Sequence, residues 1–80
     1  MKRKEGYPLE RKANMKKVGE RLRELRGIRT RSGVSRQTGI PYSTLQSYEE
    51  GTREPSGPIK KILAEYYGVP VNELFYFFDD

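Results

Sequence analysis

The side chains able to do chemistry in this 80-residue chain are mostly cations: 16 Lys and Arg stand against 11 Asp and Glu, with no cysteine and no histidine. Thiolate and imidazole nucleophiles are therefore missing, as are the usual zinc ligand sets and any disulfide. The sequence also has no Walker-type GK[ST] and no carboxylate cluster at metal-binding spacing. Nucleophilic, acid–base and metal mechanisms all lack their parts, so a non-enzymatic protein without cofactor or metal is expected. The cations are unevenly placed. Residues 1–31 hold twelve Lys/Arg against four Glu, a balance of +8, whereas residues 32–80 hold four against seven acidic residues, a balance of −3. A basic end of this kind suits a polyanion, because each neutralised phosphate releases condensed counterions, and it suits nucleic acid better than a small acidic molecule. A solvated charged surface is the plain alternative for the same residues.

The elements that must position these groups follow from period and punctuation. A chain of this length buries only about 60% of its unfolded surface, so its core must be small and local. No apolar run approaches the roughly 20 residues needed to span a bilayer, and the opening MKRKEGYPLERK has no apolar h-region. Neither a membrane partner nor a secretory signal is expected, which leaves the cytoplasm as the location. Residues 1–13 combine Lys2, Arg3, Lys4, Arg11 and Lys12 with Gly6 and Pro8 and show no sustained period, so they read as a flexible basic arm, with a short helix from Pro8 as the alternative.

From Asn14, a candidate N-cap, Met15, Val18, Leu22 and Leu25 share one helical face that ends at Gly27. Thr30 or Ser32 caps a short second helix reaching Thr38, with Val34 inward and Ser35 as a small contact residue. Gly39 accepts positive φ and Pro41 forces Ile40 out of the α region, so the chain turns sharply at 38–41. A third helix covers Tyr42 to Glu50, burying Leu45 and Tyr48 and stopping at Gly51. TREPSGP is a loop. Ile59, Ile62, Leu63 and Tyr66 then mark the inner face of a fourth helix closed by Gly68, and Val71, Leu74, Phe75 and Phe78 mark a short fifth. With no strand alternation, repeat or low-complexity tract, the fold class is all-α: a compact bundle of about five short helices over residues 14–78, followed by an acidic tail at 79–80.

At this point SRQTGIPYSTLQSYEEGTREPS followed by IKKILAEYYGVPVNELF resembles the helix-turn-helix family of lambda-repressor and Cro type, over Val18 to Phe75. The fingerprint is a small residue in helix 2 (Ser35), glycine four positions on (Gly39), an aliphatic next (Ile40), a buried aliphatic in helix 3 (Leu45) and the closing YEEG of 48–51. Two short helices cross steeply only where a small side chain lies at their contact and the turn has a residue free to take positive φ, and Ser35 and Gly39 meet those needs. Serine stands where the family usually has alanine, and the connection from Leu25 to Val34 is shorter than the family's.

The resemblance implies sequence-specific binding of double-stranded DNA, with helix 3 in the major groove, by a transcriptional regulator of repressor type from a phage or prokaryote. It makes Tyr42, Ser43, Thr44, Gln46 and Ser47 the candidate base contacts. Gln46 stands out because glutamine can pair with both N6 and N7 of adenine. Arg31, Arg36 and Arg53 are the candidate phosphate contacts, and Arg26 and Glu49 match a pair that in relatives bridges helices 1 and 3. Outside the resemblance, Lys2, Arg3 and Lys4 of the arm are candidates to reach phosphates or the minor groove, with a solubilising tail as the alternative. Phe75, Tyr76, Phe77 and Phe78 are the candidate homodimer surface; Phe75 or Phe78 can complete the core, with Tyr76 and Phe77 then pointing elsewhere. A dimer would set two copies of helix 3 about 34 Å apart on a palindromic operator. An antitoxin-type or other protein-interaction adaptor on the same fold is the alternative.

Overall fold

A computed structural model describes the backbone of residues 3–76 and the side chains of residues 14–76. Lys2, Phe77, Phe78 and the acidic tail lie outside the described residues, as do the side chains of Arg3 and Lys4. Five helices occur in order: α1 (Arg3–Arg26), α2 (Arg31–Thr38), α3 (Tyr42–Glu50), α4 (Gly57–Tyr67) and α5 (Val71–Phe75), with no strand among the described residues.

α1 begins well before Asn14, which is an exposed interior residue and not a cap. Backbone expected as an arm is thus helical from residue 3. Lys, Arg, Glu, Leu and Ala in this stretch are good helix formers and Gly6 and Pro8 oppose them; what carries the helix outward is that extending one already nucleated by tertiary packing needs no apolar face of its own. The packed part of α1 does follow the expected period, with Val18 and Leu22 buried and Leu25 against the core.

α2 lacks intrinsic helix propensity and is held by its ends. Thr30 is extended (φ −88°, ψ 155°), and its Oγ1 accepts from Gly33 N at 3.0 Å, which satisfies one of the unpaired amides of the first turn. Val34, 1% exposed, anchors the middle. At the far end Thr38 Oγ1 donates to Val34 O (2.8 Å) and accepts from Ile40 N (3.2 Å), while Gly39 takes φ +81° and donates to Ser35 O (2.8 Å). Ile40 then drops into the core, and Pro41 O accepts from Leu45 N (3.0 Å) to start α3.

α3 has the expected bounds and buries Leu45, Tyr48 and Glu49. α1 crosses it closely enough that a Cβ on Gly19 would sit 2.7 Å from Tyr48 O, and one on Gly51 (φ +77°) 2.9 Å from Lys16 Cα. These two glycines set the separation of the helices. α4 runs to Gly68 as expected, but its inner face is rotated: Leu63, Ala64 and Lys60 are buried, Ile59 and Tyr66 pack partly, and Ile62 is 38% exposed. The stem of Lys60 supplies the apolar contact that Ile62 was expected to make. Its ammonium is satisfied by Glu54 Oε2 (3.3 Å) and Tyr76 Oη (3.0 Å). α5 closes the core with Leu74 and Phe75.

Candidate nucleic-acid interface

With Leu45, Tyr48 and Glu49 facing inward, the 3.6-residue period turns positions 42, 43, 46, 47 and 50 outward along α3. Tyr42 is 47% exposed; Ser43 and Glu50 are exposed, and Thr44, Gln46 and Ser47 are half-buried. The structure thus brings the five sequence-selected residues of α3 onto one helix, four of them on a continuous polar strip. Gln46 Nε2 donates to Glu50 Oε2 at 3.1 Å within that strip.

The orientation of α3 is fixed from behind by Glu49, whose side chain is 3% exposed. Arg26 of α1 donates from Nε to Oε2 (2.8 Å) and from Nη2 to Oε1 (3.1 Å), and Arg31 of α2 donates from Nε to Oε1 (2.9 Å). The Arg26–Glu49 pair is the one the resemblance implies. The share taken by Arg31 was missed, although Glu49 follows Leu45 at i+4 and so falls on the buried arc, and three arginines crowd the turn before α2. Arg31 is consequently a partly buried structural group. Its guanidinium stands 5.9 Å from the Tyr42 ring centroid, and the contact with Tyr42, then Glu49, raises its pKa against the opposing loss of hydration.

The rest of the turn is tied to α4. Arg26 Nη1 donates to Arg29 O (2.9 Å), and the Arg29 guanidinium lies 5.6 Å and 5.7 Å from the Tyr66 and Tyr67 rings. Burial, with the nearby Glu49 charge second, pushes the Tyr67 phenol up to about 12. Arg36 and Arg53 are exposed, at the outer side of α2 and in the loop after α3. Phe75 is buried in the core of the single chain, so its expected place in a dimer surface is corrected, whereas Tyr76 is exposed beside Lys60.

A family model described as helix-turn-helix matches residues 20–74, most of the chain and all of the α2–turn–α3 unit. The chain belongs to the helix-turn-helix family of lambda-repressor and Cro type. No curated protein and no solved structure gives a significant match. In this helix-turn-helix protein α2 and α3 are the two helices of the motif, and membership carries DNA binding as its general role. The family is generally non-enzymatic. No described helix is long and apolar enough to cross a membrane, and no group of three or more Asp and Glu among the described residues is placed to hold a metal ion.

Proposed function

We propose that the protein is a sequence-specific transcriptional regulator of the cytoplasm, a repressor of phage or prokaryotic type, that sets α3 in the major groove of double-stranded DNA. The observation that carries this reading is the two-sidedness of α3: Leu45, Tyr48 and Glu49 lock its back to the bundle, while Tyr42, Ser43, Gln46 and Ser47 stand as a polar strip on its front. Base edges are read by such side chains, and Gln46 is the principal reader, with Thr44 at the margin. Arg36, Arg53 and the remaining N–H groups of Arg31 would hold phosphates on either side, with Lys2, Arg3 and Lys4 adding contacts from the other end. Two copies meeting near Tyr76, Phe77 and Phe78 would read a palindromic operator.

Selection of bound duplexes from a random pool tests this directly. A recovered sequence with two inverted half-sites and two chains per duplex is expected. Affinity should fall steeply between low and physiological salt, and the slope of log affinity against log salt should flatten by about 0.9 when Arg53 is replaced by alanine. Gln46→Ala should cost roughly 1–3 kcal/mol on the recovered site and little on random DNA. Failure to recover any sequence, with binding insensitive to salt, would instead favour the protein-interaction adaptor.

A further inference from the structure

We propose that Glu50 is a specificity-determining residue of this interface: by holding the Gln46 amide in one orientation it makes that side chain select adenine over guanine. The inference rests on the reading of α3 given above. Glu50 is exposed, lies one turn beyond Gln46 on the outward strip, and accepts from Gln46 Nε2 at 3.1 Å. The i,i+4 hydrogen bond adds only about 0.2–0.5 kcal/mol to the helix, and two larger-scale effects oppose an anion there. The last turn of α3 has no basic residue, and a carboxylate at that end faces the negative pole of the helix dipole. On a surface that approaches phosphates it is also repelled.

Donor and acceptor counting gives it a role. A free glutamine amide offers one carbonyl oxygen and two N–H groups. Adenine shows an acceptor (N7) beside a donor (N6–H) in the major groove, whereas guanine shows two acceptors, N7 and O6. An unrestrained amide can turn to serve either edge. With one Nε2 hydrogen held by Glu50, the side chain presents one donor and one acceptor. That set complements adenine. Against guanine it leaves one acceptor unpaired and sets Oε1 against O6, so the brace excludes the wrong base as well as positioning for the right one.

The test uses the full chain and the duplex recovered from the random pool, with each A·T pair changed in turn to G·C. Gln46→Ala identifies the pair that Gln46 reads. At that pair the wild-type protein should prefer A over G about tenfold or more. Glu50→Ala should reduce the preference to about threefold or less, while raising affinity for a random duplex about two- to fivefold at low salt through loss of repulsion. Glu50→Gln keeps a carbonyl acceptor for Nε2 but removes the charge. It should keep the adenine preference and still gain random affinity. Wild-type discrimination in Glu50→Ala overturns the inference, as does complete loss of discrimination in Glu50→Gln. If Gln46→Ala leaves operator and random binding equally unchanged, it is the underlying assignment of Gln46 that fails.

Discussion

A carboxylate with 3% of its side chain exposed has lost nearly all its hydration, and Glu49 recovers that loss through three charge-assisted hydrogen bonds from Arg26 and Arg31. Glu49→Gln keeps the shape but removes the charge, leaving two half-buried guanidinium groups against a neutral amide. Breaking the pair this way should cost about 2–4 kcal/mol, somewhat below the figure for fully buried pairs because both arginines retain some water contact. For a domain of this size that is a fall in melting temperature of at least about 8 °C. A variant melting within a degree or two of wild type would show that the carboxylate is not the anchor. The same charge reaches Tyr67, whose phenol is raised by burial and then by Glu49 to about 12, above the unfolded value near 10. A raised folded-state pKa means that this contribution is fully present below about pH 10 and is lost as pH climbs towards 12. Tyr67→Phe should therefore lose stability less steeply across that window. The late phenolate absorbance that disappears in Tyr67→Phe belongs to Tyr67, and it should shift down in Glu49→Gln.

Between elements, the distance from α1 to α3 depends on a side chain that is not there. Alanine at position 19 would improve helix propensity by up to about 1 kcal/mol. Its Cβ, however, would sit 2.7 Å from Tyr48 O and 2.8 Å from Glu49 C, both backbone atoms that cannot rotate aside. Gly19→Ala should be net destabilising by about 1–3 kcal/mol and should weaken operator binding as well, because the displaced helix carries Arg26 away from Glu49. A higher melting temperature in this variant would mean that the two helices separate at little cost. The sequence carried no sign of this approach, since a glycine inside a helix pattern looks the same whether or not another backbone passes over it. The α2–turn–α3 unit was legible because Thr30, Gly39, Pro41 and Gly51 constrain the chain locally, and α3 has the bounds their spacing implies. The phase of α4 was not. Hydropathy ranks Ile62 above Lys60, and only the presence of Glu54 and Tyr76 around the ammonium lets the lysine stem go inside. The upstream half of α1 was missed for the opposite reason: residues 3–13 show no apolar stripe, and the helix continues there without one. Of the candidate interface, the exposed strip followed from helical period, whereas the links of Arg31 to Glu49 and of Gln46 to Glu50 depend on rotamers that period does not determine.

At the scale of the whole molecule, one cluster of ten buried residues among those described draws on every helix and on the turn: Val18 and Leu22, Val34, Ile40, Leu45 and Tyr48, Leu63 and Ala64, Leu74 and Phe75. No helix buries its apolar face without the others, and α2 and α5 are too short to persist alone. The recognition surface is therefore only as stable as the core behind it. Leu63, with none of its surface exposed, lies on α4, away from the polar strip of α3. Leu63→Ala removes contacts shared across the bundle and should cost about 2–5 kcal/mol, a large part of the 5–15 kcal/mol typical of a domain. Helix content and the near-ultraviolet signal of the tyrosines should then fall together, in one transition about 10 °C or more below wild type. Below that transition the variant should bind the operator with wild-type affinity and salt dependence, since no side chain of the strip has changed. Helix content outlasting the tyrosine signal would mean that α1 stands apart from the bundle as its own unit. Weakened binding in fully folded protein would mean that packing at α4 also sets the attitude of α3.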